Sequence, residues 1–186
     1  MATSQQKWDS KVQVKKGNIG ETIVNEYLEN RGFVIYKPIT EKAHCFDALA
    51  IKDKEKLLIV EIKTKARLNK YPATGFDYKH YLEYTEISDK HNADVFIFFV
   101  DEMLEKVYGN YLKYLQELTI IKNKTYPFTM NFGNNKVIFF PLDNMVDIKL
   151  LTKEQVGEIK KYNTRNYKYK PDLTATPLGS VITDAI

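Results

Sequence analysis

The chain has 186 residues, 44% of them hydrophobic and 13% aromatic, with 28 basic against 24 acidic side chains and a net charge of +4. A chain of this length buries roughly 70% of the surface it exposes when unfolded, so it needs no disulfides, and its lone cysteine, Cys45, allows no internal one. The longest apolar runs, Leu57 to Val60 and Val95 to Val100, are far shorter than the roughly 18 to 20 residues of a membrane span, and Met1 to Lys16 lacks the pattern of a secretion signal. Membrane spanning is excluded on this reading and the cytoplasm is the expected location. The mild basicity permits a nucleic-acid partner without requiring one.

Asn18 with Glu21 three positions on resembles a capping box, and Ile19, Ile23, Val24, Tyr27 and Leu28 recur at helical spacing up to Arg31-Gly32. Phe33 to Ile39, Cys45 to Lys52 and Lys56 to Thr64 are expected strands, the last two joined as a hairpin by a short charged link. Lys65 to Asp77 contains Pro72 and Gly75 among polar residues and is expected to be a long loop. A helix over Tyr78 to His91 and a strand over Asp94 to Asp101, apolar enough to be buried on both faces, follow. Weaker signals mark a short helix near Tyr111 to Leu118 and strands at Tyr126 to Phe132 and Lys136 to Leu142, joined through Gly133-Asn134-Asn135. Thr152 with Gln155 is a second capping-box pattern, opening a helix to about Tyr162. Residues 1–166 are expected to form a single domain, with its core at 17–101, a C-terminal extension at 102–166 and a loosely ordered tail at 167–186.

The chemistry concentrates in Phe46-Asp47-Ala48-Leu49-Ala50 and Ile59-Val60-Glu61-Ile62-Lys63-Thr64-Lys65. Glu61 and Lys63 interrupt an apolar strand at positions i and i+2, which project from one face about 6 to 7 Å apart. Burying such charges costs several kcal/mol per ion, on the order of magnitude set by desolvation, unless each finds a partner or a metal. Asp47, on the preceding strand, supplies a second carboxylate. Mg²⁺ prefers oxygen ligands and retains waters, so Asp47, Glu61 and the backbone carbonyl of Ile62 suit one ion, with Mn²⁺ as substitute. Lys63 would then orient or help deprotonate an attacking water beside a phosphodiester. The competing reading is an exposed cross-strand ion pair, which the flanking Leu57 to Val60 run disfavours.

These residues resemble the PD-(D/E)XK nuclease superfamily, with Asp47 as the motif aspartate and Glu61-Ile62-Lys63 as the (D/E)XK triplet. The resemblance covers residues 17 to 101 and departs at Phe46, where the motif has proline. It implies a restriction-endonuclease-like α/β fold: a helix, a three-strand meander, a helix and a strand, in a central mixed sheet flanked by helices, here with a C-terminal hairpin and helix. It further implies a metal-dependent nuclease acting on DNA, with catalytic Asp47, Glu61 and Lys63. Glu21 would be an additional metal ligand, because the order Glu21, Asp47, Glu61, Lys63 is that of Holliday-junction resolvases. The alternative is a catalytically inactive nuclease-fold protein that binds nucleic acid or a protein partner.

Lys65, Arg67, Lys70, Tyr71, Lys79 and Tyr81 interleave cations with aromatics directly after the triplet, a pattern suited to phosphate contact and stacking. DNA is the expected partner and RNA the second choice; a homodimer would set two sites against two strands. The plain reading of this stretch is a solvated loop and an amphipathic helix. Gly17-Asn18-Ile19-Gly20 is better read as a helix start than as a GXXG nucleic-acid loop, and His44, Cys45 and Asp47 lack zinc-ligand spacing.

Overall fold

The structure is a computed structural model that describes residues 11–38, 46–53 and 56–163. The expected tail at 167–186 and the His44-Cys45 pair lie outside the described residues. Helix α1 spans Val12–Glu29 with Lys11 at the N-cap position, so the Asn18–Glu21 capping box does not form and the Gly17 to Gly20 segment is helix interior. Long-range contacts hold the added turns: Lys16 Nζ donates to Glu102 Oε1 and to Asn163 Oδ1, both at 2.7 Å. No local sequence signal carries those partners.

Strands β1 (Val34–Tyr36), β2 (Ala48–Lys52) and β3 (Lys56–Thr64) form the expected antiparallel meander, with Ala50 paired to Ile35 on one side and to Leu58 on the other. The expected long loop contains a strand, β4 (Ala73–Asp77), which its own Ala-Thr-Gly-Phe-Asp sequence does not signal. It forms because β10 (Asn135–Pro141) pairs with it in antiparallel register, Gly75 opposite Phe139. Helix α2 (Tyr78–His91) and strand β5 (Asp94–Asp101) fall as expected, and β5 runs parallel to β3.

The C-terminal part holds more structure than its weak periodicity signalled. Strand β6 (Lys106–Tyr111) leads into the one-turn helix α3 (Leu112–Leu115), then strands β7 (Thr119–Ile121), β8 (Lys124–Tyr126) and β9 (Phe128–Phe132). Pro127, which has no N–H to donate, parts the expected Tyr126 to Phe132 strand into β8 and β9. The β9/β10 hairpin turns through Gly133 at φ +60°, as read from Gly133-Asn134-Asn135. A 3₁₀ turn (Leu142–Asn144), strand β11 (Val146–Leu150) and helix α4 (Lys153–Lys160) complete the described chain, and both halves of the Thr152/Gln155 capping box are made.

The main sheet has the order β1-β2-β3-β5-β6-β11, mixed because only β3 and β5 run parallel. On one face Leu58, Val60, Ile62, Phe96 and Phe98 pack against Leu28 of α1 and Ile159 of α4. On the other, Ile59, Val95, Ile97 and Phe99 pack against Tyr84 of α2 and against Phe76 and Phe140 of the small β4-β10-β9 sheet. This is the expected α/β class, a central mixed sheet flanked by helices, with β4 inserted before the second helix. Among the described residues no helix is long and apolar enough to cross a membrane.

Gly20 sets how closely α1 approaches β3. A Cβ at Gly20 would lie 1.8 Å from Thr64 Oγ1. Gly20→Ala is therefore expected to push the helix off the strand and cost about 1–3 kcal/mol, the range for overpacking. Urea unfolding checks this, and wild-type stability would mean that Thr64 rotates away freely.

Candidate active site

The period-2 pleat of β3 divides its side chains as the sequence demands. Leu58, Val60 and Ile62 join the core under α1, whereas Ile59, Glu61 and Lys63 face α2 and β4. The β2/β3 register, Ala48 opposite Val60, brings Asp47 across from Glu61 one step further along the ladder. Asp47 N donates to Val60 O at 3.1 Å, and Asp47 Oδ2 accepts the Ile62 N–H at 2.7 Å. Two like charges opposite each other destabilise a sheet, so this pair calls for a compensating cation.

Glu61 is 2% exposed. Its carboxylate is ion-paired with Lys63 and accepts a hydrogen bond from the Tyr84 hydroxyl. Lys63 Nζ also lies 5.8 Å from the centroid of the Phe76 ring. Burial pushes the Glu61 carboxyl up to about 7, with Asp47 adding to the rise and Lys63 and Tyr84 opposing it. Asp47 is raised chiefly by burial, against Lys63, the Ile62 N–H, His80 and Lys37. Glu21, reaching in from the middle of α1, is raised by burial and then by Asp47, with Lys37 and Lys63 opposing.

The structure thus brings together Glu21, Asp47, Glu61 and Lys63. Sequence reading did not assign Tyr84, His80 or Lys37 to the carboxylates. The i, i+4 spacing of His80 and Tyr84 on α2 was the available signal for two of them, since it sets both on one helix face.

Among the described residues, no three His, Cys, Asp or Glu side chains gather into a ready-made metal cage. The donors nevertheless suit a hard cation that retains its waters: Asp47, Glu61 and the Ile62 carbonyl offer oxygen alone. Three carboxyls hold protons more tightly than usual, chiefly because burial disfavours their charged forms, and a bound cation would offset that cost. Removing the Tyr84 hydroxyl should move Glu61 still higher. Tyr84→Phe is expected to raise its pKa by about one unit, the equivalent of a charged hydrogen bond of roughly 1.5 kcal/mol. Carboxyl NMR titration reads this directly, and an unchanged midpoint would deny the hydrogen bond a role.

The expected nucleic-acid contacts do not share one surface. Arg67 is buried at 4% exposure rather than presented to solvent. Tyr81 is half-buried, stacks on Tyr78 and accepts a hydrogen bond from Gln116 Nε2 at 3.1 Å. Lys79 is exposed on α2 and lies 3.8 Å from Glu83. Lys70 and Tyr71 line one cavity with Arg67, while Lys65 lines another with Thr74 and Asp77. The backbone leaving β3 turns successive side chains in different directions, which a count of cations along the sequence does not capture.

No protein-family model matches the chain, and no curated protein matches it. Among solved structures, a similar chain is Hjc of Archaeoglobus fulgidus, a Holliday junction resolvase from an archaeal hyperthermophile. The two have 12% sequence identity and a TM-score of 0.46, over 68% of this chain and 84% of that one.

Proposed function

We propose that the protein is a metal-dependent nuclease of the PD-(D/E)XK type that hydrolyses phosphodiester bonds in DNA. The observation that carries this reading is the buried Glu61, paired with Lys63 on one face of β3, with Asp47 immediately before β2 and bonded to the Ile62 N–H. Such charges destabilise a sheet interior and have an obvious use at a phosphate. Asp47, Glu61 and the Ile62 carbonyl would hold Mg²⁺ or Mn²⁺, which supplies activation of water and neutralisation of charge on the phosphate when bound. Lys63 orients the attacking water and stabilises negative charge as the phosphate is attacked. Glu21 contributes negative charge beside Asp47 and is the candidate for a further ligand. Tyr84 fixes the Glu61 carboxylate by its hydrogen bond.

In this reading residues 1–166 act as a single nuclease-like domain in the cytoplasm, DNA is the partner ahead of RNA, and a homodimer, if formed, would set two sites against two strands. Single-stranded, duplex and branched DNA, together with RNA, incubated with Mg²⁺ or Mn²⁺ test it. Wild type should cut at least one DNA form and Lys63→Ala none. Equal cleavage by both would sink the assignment. The second reading, a nuclease-fold binding protein without activity, draws on the absence of a three-ligand cluster among the described residues. It predicts binding that is indifferent to divalent metal and to Lys63.

A further inference from the structure

Past the end of β3 the chain enters a second polar region whose lining contains none of Glu21, Asp47, Glu61 or Lys63. A cavity of about 430 Å³ opens there, between the segment leaving β3, the β7/β8 hairpin and the 3₁₀ turn. Its lining includes Arg67, Lys70, Lys122 and Lys124, with Asp143 the one acidic side chain. The hairpin presents its lysines through a two-residue turn, with Lys122 at φ 48° and Asn123 at φ 63°. Lys124 Nζ is held 3.5 Å from the Tyr71 ring centroid and 3.4 Å from that of Phe128, which fixes its charge at the wall.

Arg67 is the telling residue. It is 4% exposed, yet its Nε and Nη2 have no hydrogen-bond partner. Asp101 does not supply one, because its carboxylate oxygens accept from the Arg67 backbone N–H, the Met103 and Leu104 N–H groups and the Tyr108 hydroxyl. Those bonds anchor the Arg67 main chain and leave the guanidinium edge free. The Nε–Nη2 edge carries two parallel N–H bonds, the fork that matches two oxygens of a phosphate. A guanidinium buried without an acceptor is strongly disfavoured, and an anion in the lysine-lined cavity removes the deficit.

We propose that this cavity is a phosphate-binding site, separate from the carboxylate centre, in which Arg67 grips a phosphate monoester and Lys70, Lys122 and Lys124 neutralise it. The phosphate comes either from the end of a nucleic-acid strand or from a small phosphorylated molecule. The site does not depend on the carboxylate centre being a nuclease.

Binding of three probes to the full chain, without divalent metal, tests this: inorganic phosphate, a 5′-phosphorylated oligonucleotide and its 5′-hydroxyl counterpart. Phosphate should bind saturably, and Arg67→Gln should weaken it more than tenfold while melting no lower than wild type in phosphate-free buffer. The double variant Lys70→Ala/Lys122→Ala, at exposed positions, should weaken it at least threefold and covers the case in which Arg67→Gln does not fold. A tenfold preference for the phosphorylated oligonucleotide over the hydroxyl form identifies a strand end as the source. Equal oligonucleotide affinities, with phosphate still bound through Arg67, identify a small molecule. No saturable phosphate binding, or binding unchanged in both variants, overturns the proposal.

Discussion

On the proposed nuclease reading, Glu61→Gln is expected to abolish cleavage and yet make the protein more stable at pH 8 than the wild type. Folded Glu61 keeps its proton to about pH 7, whereas an unfolded glutamate releases it near 4.5. Between those values the folded state binds more protons than the unfolded state, so wild-type stability falls as pH rises. Below pH 4.5 both states are protonated and the contribution vanishes; above 7 the whole penalty is present. The gap corresponds to about 3 kcal/mol, and it already includes the attraction of Lys63, the hydrogen bond from Tyr84 and the repulsion of Asp47. Glutamine keeps the shape and never charges, so the variant should gain about that much at pH 8 and nothing at pH 4.5. Urea unfolding at the two pH values, alongside a cleavage assay, is the measurement. A variant that is inactive but no more stable at pH 8 would mean that Glu61 is well compensated in the wild type, which removes the electrostatic case for a bound cation.

This trade between stability and charge explains why the candidate site stood out in the sequence. Apolar runs rarely carry a glutamate and a lysine at positions i and i+2, and the period-2 geometry of a strand then leaves no doubt that both share a face. The meander, α2 and β5 were legible for the same reason: Ile59, Val95, Ile97 and Phe99 alternate or cluster as a two-sided sheet requires. What escaped was structure made by distant partners. Strand β4 is Ala-Thr-Gly-Phe-Asp, and pairing with β10 makes it a strand; nothing in its own composition does. The start of α1 depends on Lys16 meeting Glu102 and Asn163, far along the chain. Arg67 read as a surface cation because it falls in a stretch with Lys65, Asn69 and Lys70 ahead of Pro72, but the carboxylate of Asp101 draws its backbone inward. The cavity it enters is completed by Lys122 and Lys124, which sequence reading had no reason to join to it.

Asp47 offers the sharpest separation of chemistry from folding, because its two oxygens have different duties. Oδ2 accepts the Ile62 N–H at 2.7 Å, which ties β2 to β3 beside the triplet, while the carboxylate charge is what a cation requires. Asp47→Asn keeps a carbonyl oxygen for Ile62 and removes the charge; Asp47→Ala removes both. The alanine variant should lose about 1–3 kcal/mol, the cost of leaving a buried N–H unpaired, less whatever is regained by deleting a buried carboxylate. The asparagine variant should fold at least as stably as wild type at pH 8, since burial disfavours the charge that it deletes. Both should bind Mn²⁺ at least about tenfold more weakly, the lower end for disturbing the support of a metal site, and both should fail to cut DNA. Calorimetry in two buffers of different ionisation enthalpy adds a further readout. Wild type should release protons on binding Mn²⁺ near pH 7, where Glu61 is partly protonated, and the release should shrink as pH rises above 7. Mn²⁺ affinity in Asp47→Asn equal to that of wild type would place the cation elsewhere and leave Asp47 as a structural link between two strands.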